Sequence, residues 1–208
     1  MREDEMVIDF GFRRREGACS RCGFKMGLCF CRELLSVTIP LQVVFVCHRN
    51  EQGRQSNSAR VFAGCVPGAE IHWWGRQERP LPQDWLGELQ DRRLGVLFPD
   101  EHAMPIHQLS RLERPETLVV LDGSWRQCKS MVRRIPGIDG LPKLRLSRDY
   151  LPSDSLRRSP GRGLLSTFEA TCYALEELLE TQFPELHRVW GRFVGRSREQ
   201  RLGRVQGS

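Results

Sequence analysis

The sequence predicts an α/β fold with a mostly parallel sheet. Short apolar runs rich in β-branched residues recur along the 208 residues and alternate with helical patterns, as in strand–helix–strand units. The runs are apolar at successive positions, which is typical of strands covered on both faces. We therefore expect one α/β domain over residues 36–195, a small N-terminal unit over residues 1–35, and a basic flexible tail over residues 196–208.

The composition excludes several classes of protein. No apolar run approaches the length of about 18 residues that a membrane span needs. The charged N-terminus lacks the apolar core of a secretory signal, so we expect a cytoplasmic protein. The formal net charge is +6, and nearly all of the positive charge is arginine. Arginine suits phosphate and stacks on bases, although a solubilising basic surface explains the same excess.

Four of the eight cysteines cluster near the N-terminus as two close pairs joined by a short loop. This spacing suits a tetrahedral site for one metal ion, and structural zinc is the first expectation. An iron–sulfur cluster and a metal-free cluster are the alternatives. The candidate ligands are Cys19, Cys22, Cys29 and Cys31. The same segment carries Arg21, Lys25 and Arg32, which makes contact with RNA a hypothesis for it.

The other cysteines lie in apolar surroundings and are expected to be small core residues; they are Cys47, Cys65, Cys128 and Cys172.

A first strand is predicted over Val37 to Cys47. The polar segment that follows is either a site wall or an ordinary loop. Its candidate site residues are His48, Glu51, Arg54 and Asn57.

The next elements are short. A helix is expected over Ser56 to Cys65 with its end at Gly64, and a second strand over Ala69 to Trp74. Residues 75–94 are polar and form a connection with a helical turn near Trp85. A third strand over residues 95–98 ends in a polar turn at Pro99, and a helical pattern covers residues 106–112.

The central strand is predicted over Leu118 to Leu121, and it ends abruptly in Asp122. Gly123 allows a tight backbone turn, and Ser124 is a suitable N-cap for the helical pattern that begins at Trp125. In open α/β sheets, ligands bind beyond the carboxyl ends of the strands. An ordinary turn would also use an aspartate and a serine.

The last part of the chain adds a short strand, a basic loop and a helix. The strand is expected over Leu141 to Leu146, and the clearest helix opens at Leu164 with Ser166 or Thr167 as its cap. The loop between them is either solvated surface or a phosphate-gripping segment; its arginines are Arg148, Arg157, Arg158 and Arg162. Beyond the helix, Trp190 and Phe193 anchor a basic tail.

Together these motifs resemble the DTW-domain family of tRNA-uridine aminocarboxypropyltransferases. The family's Asp-x-Thr-Trp pattern corresponds to Asp122-Gly123-Ser124-Trp125, in which serine replaces threonine but a hydroxyl remains. The resemblance runs in order through the cysteine cluster, the segment from His48 to Ser58, Phe98-Pro99, and the helix start at 165–170. The N-terminal arm, residues 75–94 and the basic tail match least.

The resemblance implies a SPOUT-like α/β fold with a C-terminal knot and S-adenosylmethionine as cofactor. The implied reaction transfers the 3-amino-3-carboxypropyl group to N3 of a tRNA uridine. The cofactor would lie at the loops that follow the strands; its candidate contacts are Phe98, Pro99, Leu121, Asp122, Gly123, Leu165, Ser166 and Thr167.

The catalytic candidates implied by the resemblance are Asp122, Ser124 and Trp125. Uridine N3 is protonated at neutral pH, so Asp122 is a candidate general base, and orientation of the uracil is its alternative role. Trp125 either stacks on a base or packs its helix against the sheet, and packing is the expectation. The candidates for contact with tRNA are His48, Glu51, Arg54, Asn57, Arg157 and Arg158. The rival readings are a SPOUT-class RNA methyltransferase and a non-catalytic zinc-knuckle RNA-binding protein, and no oligomeric state is predicted.

Overall fold

The computed structural model describes residues 16–19, 22–54, 56–75, 81, 85–89, 92–152 and 165–203. Within them, the strands are β1 Gln42–His48, β2 Glu70–Trp74, β3 Leu94–Leu97, β4 Met104–Pro105, β5 Thr117–Asp122 and β6 Lys143–Arg145. The helices are α1 Ser58–Ala63, α2 Trp125–Arg134, α3 Thr167–Leu179 and α4 Pro184–Arg201. The candidates Arg21, Arg157, Arg158 and Arg162 lie outside the described residues.

The strands form one six-stranded sheet in the order β2-β1-β5-β3-β6-β4. Every pairing within it is parallel, which confirms the predicted mostly parallel α/β sheet. The two central strands, β1 and β5, are in register with Cys47 opposite Asp122. Because parallel strands end at the same edge, the polar residues that follow β1 and β5 are brought together there.

Alternation along the central strands separates two hydrophobic layers. Side chains such as Phe45 and Val120 pack with α1, α3, α4 and the cysteine-rich segment on one face. Val46 and Leu121 belong to the opposite face, where α2 supplies Met131 and its neighbours. The sheet is therefore covered on both sides, as its uninterrupted apolar strands predict.

Several elements are shorter than predicted. β1 begins only after Pro40, which has no N–H to donate to a neighbouring strand, and upstream the N–H of Val37 bonds to Cys65 instead. The helical pattern over residues 106–112 forms a single 3₁₀ turn, Ile106–Gln108. After that turn, the N–H of Ser110 bonds to the Glu113 carboxylate, so a local side-chain turn replaces further helix.

The C-terminal segment differs most from its prediction. α4 continues unbroken to Arg201, so the part of the expected flexible tail from 196 to 201 is helical. Val194 and Ser197 are buried, and Arg196 pairs with Glu33 of the cysteine-rich segment at 3.2 Å. In the sequence of α4, arginines alternate with the residues of an apolar stripe that includes Trp190 and Phe193, so the stripe is hard to recognise. Packing of that stripe stabilises the helix.

The four isolated cysteines are all buried, which confirms that they are core residues. Burial raises the pKa of the Cys65 thiol and of the Cys128 thiol to about 12 each. These thiols therefore stay protonated and unreactive at neutral pH. Among the described residues, no helix has the length and apolar character that crossing a bilayer requires.

Candidate functional site

Asp122 is the centre of a hydrogen-bonded group at the carboxyl edge of the sheet. It lies at the last position of β5 and is only 6% exposed. The Thr167 hydroxyl donates to its Oδ1 at 2.6 Å, and the Asn57 amide donates to its Oδ2 at 2.7 Å. Asn57 caps α1 and Thr167 opens α3, so this carboxylate joins two helix starts to the central strand.

The Asp122 carboxylate also affects the neighbouring thiol of Cys47. Cys47 lies opposite Asp122 in the paired strand. Burial, followed by the charge and hydrogen bonding of Asp122, raises the pKa of Cys47 well above its usual range. Asp122 therefore acts on groups from β1, α1 and α3 together, which a solvated turn residue would not do.

The turn after β5 leads directly into α2. The Ser124 hydroxyl accepts from the N–H of Gln127, whose side chain accepts from the N–H of Ser124 in return, which confirms the predicted cap. Gly123 does not have the left-handed backbone that a tight turn would need. A Cβ there would instead lie within 3.3 Å of both His48 and Gln127, so a side chain at position 123 would crowd both neighbours.

Trp125 meets the packing expectation only in part. Its side chain is 43% exposed, and its ring contacts Phe98 with the centroids 5.7 Å apart. Phe98 is buried at the end of β3, and Pro99 after it is exposed. The two rings form a half-open aromatic surface between the ends of β3 and β5, and such a surface suits a planar ligand.

The segment after β1 is split between two roles. His48 packs its ring beside Trp74, with the centroids 5.8 Å apart, and its Nδ1 accepts from the N–H of Asn50 at 3.2 Å. Partial burial and the adjacent Arg49 guanidinium hold the pKa of His48 below its usual range, so the ring is neutral at pH 7. Glu51 is buried and pairs with Arg54 at 2.9 Å, so that pair supports the local structure.

The structure brings the start of α3 to the same edge. Ser166 is the cap of this helix and forms a capping box with Glu169, whereas Thr167 is its first residue. The Thr167 proton is committed to Asp122, which leaves its oxygen lone pairs to accept from a ligand. Leu165 and Leu121 border this region, the first half-buried and the second buried.

The four N-terminal cysteine sulfurs form one compact cluster, with all four within 4.8 Å of one another. The distances are 3.7 Å for Cys19–Cys31 and 3.9 Å for Cys22–Cys29. Four sulfurs at about 2.3 Å from a zinc ion would lie about 3.8 Å apart, so the cluster fits a single tetrahedral ion. A multi-iron cluster has iron and sulfide atoms between its thiolates, and this spacing leaves them no room.

Sequence reasoning missed two features of this edge. It assigned Asn57 and Thr167 to different ligands, although the structure shows both hydrogen-bonded to Asp122. It also gave no role to the exposed arginines of α2, of which Arg126 and Arg133 lie on one face of the helix beside His48. Their helical spacing was the available signal.

Three similar proteins share one name. The Drosophila melanogaster protein named tRNA-uridine aminocarboxypropyltransferase 2 is 26% identical over 180 residues, which are 84% of this chain and 71% of its own length. The proteins of that name from Macaca fascicularis and Mus musculus are 23% and 24% identical, over 86% and 83% of this chain. The chain spans only 61% and 59% of their lengths. No solved structure is significantly similar.

A family model described as the DTW domain matches residues 16–200, which include the cysteine cluster, Asp122 and the start of α3. Because this match takes in nearly the whole chain, the protein belongs to the DTW domain family.

Proposed function

We propose that this protein transfers the 3-amino-3-carboxypropyl group of S-adenosylmethionine to N3 of a tRNA uridine. The observation that carries the proposal is the hydrogen-bonded group of Asp122, Asn57 and Thr167. It joins the family's signature turn to two segments far away in the chain, at the edge where α/β sheets bind ligands. The relatives named tRNA-uridine aminocarboxypropyltransferase support the same reaction.

The residues at this edge fit the cofactor by their donor and acceptor chemistry. When bound, S-adenosylmethionine supplies an electrophilic carbon next to a sulfonium; the bond between that carbon and sulfur would break as the N3–carbon bond forms, with methylthioadenosine as the leaving group. The exposed ring of Trp125 beside Phe98 would stack on its adenine. The Thr167 oxygen would accept from its ammonium group, and the Ser124 hydroxyl would donate to its carboxylate. The loops after β3 and β5 and the residues before α3 would then surround the cofactor.

Asp122 has two proposed tasks at this site, positioning and proton acceptance, and its contacts support the first directly. Both of its carboxylate oxygens already accept hydrogen bonds, from Thr167 and from Asn57. We propose that Asp122 fixes the start of α3 and of α1 around the ligands, and that its remaining lone pairs accept the N3 proton. The uridine must be unpaired, because N3 is hidden in a base pair.

The decisive experiment is nucleoside analysis of unmodified tRNA after incubation with the protein and labelled S-adenosylmethionine. Label in the carboxyl carbon should enter tRNA uridine, and label in the methyl group should not. A methylated base instead would identify an RNA methyltransferase. Absence of any transfer, together with retained tRNA affinity, would identify a non-catalytic RNA-binding protein.

A side-chain exchange separates the two tasks of Asp122. In the double variant Asp122→Asn/Asn57→Asp, the new carboxylate at 57 still caps α1, and the new amide at 122 still donates to it. The hydrogen bonds to Thr167 and to the α1 cap are kept, whereas the carboxylate moves away from the end of β5. A stable but inactive double variant would show that the carboxylate at 122 takes part in proton transfer. Restored activity, compared with the single variant Asp122→Asn, would show that it only positions the helices.

Two structural proposals accompany this function. The cysteine cluster holds one structural zinc ion, as its sulfur spacing suggests. The C-terminal part is threaded as a SPOUT-like knot, in keeping with a strand order that puts sequence-distant strands side by side. An experimental structure with bound S-adenosylmethionine would test both.

A further inference from the structure

An open groove of about 820 Å³ lies beside α2, next to the end of β1 and β2. One wall is the exposed face of α2, with Arg126, Arg133 and Arg134. The other wall carries Arg49 and the indole of Trp74. The groove therefore combines four guanidinium groups with an aromatic ring.

Many arginines of the described chain are paired with acidic residues, but these four are not. None of them contacts a carboxylate within the described residues, whereas Arg93, Arg111 and Arg188 each lie within 4 Å of one, at 3.4, 3.7 and 3.5 Å. Concentrating like charges around a concave surface is unfavourable unless an anion enters it. The groove is thus a focus of uncompensated positive charge.

The groove adjoins the end of β5. His48 lines the groove and directly follows Cys47, which lies opposite Asp122 in the paired strand. Gln127, which also lines the groove, accepts a hydrogen bond from the N–H of Ser124, two residues after Asp122. A strand of RNA bound along α2 would consequently lie next to the end of β5, where the Asp122 group is.

We propose that this groove binds the tRNA strand that carries the target uridine. In the groove, Arg126, Arg133 and Arg134 hold consecutive phosphates and Trp74 stacks on an unpaired base. The proposal rests on the proposed function and names the surface through which its substrate is held. Guanidinium groups suit phosphate oxygens, and a partly exposed indole suits a splayed base.

The same charges argue against S-adenosylmethionine as the occupant. Its sulfonium carries a fixed positive charge, which four neighbouring guanidinium groups would repel. A polyanion has the opposite sign along its whole length, and its binding releases counterions. The two ligands therefore divide the carboxyl edge of the sheet, with RNA over α2 and β2 and the cofactor between β3, β5 and α3.

The test compares two triple variants with the same change in charge. The groove variant is Arg126→Ala/Arg133→Ala/Arg134→Ala. The control variant is Arg93→Ala/Arg111→Ala/Arg188→Ala, which removes arginines that already face carboxylates. Affinity for an unmodified tRNA transcript is measured over a range of salt without S-adenosylmethionine, and affinity for S-adenosylmethionine is measured separately by calorimetry.

We expect the groove variant to bind the transcript at least about tenfold more weakly than wild type, with the slope of log Kd against log salt lowered by about 2. The control variant should keep wild-type affinity, and both should keep wild-type affinity for S-adenosylmethionine. Equal losses in both variants, undiminished tRNA binding by the groove variant, or a loss confined to S-adenosylmethionine would each overturn the proposal.

Trp74 gives a second, independent readout. Trp74→Ala should weaken binding of a short oligouridine by about tenfold through loss of stacking. Trp74→Phe, which keeps an aromatic face, should recover most of that affinity, and an equal loss in both variants would overturn the stacking role.

These binding measurements do not depend on catalytic turnover. If wild type transfers the group while the groove variants bind tRNA normally, only this inference fails. If tRNA binds through the groove and nothing is transferred, only the proposed function fails.

Discussion

At the scale of single residues, the site depends on one carboxylate that organises groups from three elements. Asp122 is buried, yet both of its oxygens have donors of good geometry. A buried charge is tolerable only when hydrogen bonds replace its hydration, and Asn57 and Thr167 supply them. Asp122 thus holds the starts of two helices in place and also provides a carboxylate at the edge of the sheet.

Removing this carboxylate should destabilise the fold. Asp122→Ala leaves the buried Asn57 amide and the half-buried Thr167 hydroxyl without their acceptor. We expect the free energy of unfolding to fall by about 2–4 kcal/mol, measured by urea denaturation. Asp100→Ala, at the less buried turn after β3, is the control and should cost less than about 1 kcal/mol. A loss in Asp122→Ala no larger than in that control would contradict the anchoring role.

His48 offers a pH-dependent test at the same scale. Its folded pKa is below 6.5 because of burial first and Arg49 second. The unfolded chain therefore binds this proton more readily, so the contribution of His48 to stability is present above pH 6.5 and is lost as the pH falls through the folded pKa. Arg49→Ala should raise the pKa seen by NMR, though not to the full unfolded value. Arg54→Ala, whose arginine pairs with Glu51, should leave that pKa unchanged; a rise there of the same size would refute the assignment to Arg49.

At the scale of elements, α4 connects the α/β domain to the cysteine-rich segment. Phe193 lies between Phe24 and Phe30 of that segment, with ring centroids 5.6 and 5.4 Å away. The interface also includes the pair of Arg196 with Glu33, which is partly exposed and contributes little. Apolar burial therefore holds the two parts together.

Phe193→Ala should break that interface. Phe193 is 2% exposed, and truncation of such a side chain costs about 3–5 kcal/mol. We expect a lower thermal midpoint, and faster amide exchange at Cys19 and Met26, whose N–H groups bond within the segment. Leu112→Ala, at a position that is 84% exposed, is the control and should change neither. Unchanged exchange in Phe193→Ala would show that the segment is stable without α4.

At the scale of the whole molecule, hydrophobic burial and the cysteine cluster contribute differently to the layers that cover the sheet. Hydrophobic burial alone explains α2 and α3, whose apolar stripes face the strands. The cysteine-rich segment has few apolar residues, although Phe24 and Phe30 are fully buried within its loops. A bound metal ion would hold such loops in place.

Removal of the metal should loosen this segment and spare the sheet. We expect one zinc per chain by elemental analysis, and chelation should increase hydrogen exchange in residues 16–35 and along the facing side of α4. Strands β1 and β5 should stay protected. Cys22→Ser should lose the zinc, and Cys65→Ala, which changes a buried cysteine outside the cluster, should keep it. Wild-type protein without bound metal would contradict the zinc proposal.

The sequence alone determined the parts of the fold that are coded locally. Apolar runs located five of the six described strands, although β4 was not predicted. Ser124 was correctly expected to cap α2, Ser166 was one of two candidates for the cap of α3, and the cysteine spacing predicted a compact cluster. Each of these depends on neighbours within a few residues, through periodicity, capping or chain reach. Asp122 at the end of the central strand was evident for the same reason.

Only the tertiary structure decided which distant residues meet. Strand order brings Asn57 and Thr167, from two separate helices, to the two oxygens of Asp122. Packing against the cysteine-rich segment keeps residues 196–201 helical, and the same folding leaves Trp125 half-exposed beside Phe98. Such contacts join residues far apart in the chain, and the free energy that selects them comes from burial summed over the whole core, which no local pattern reports.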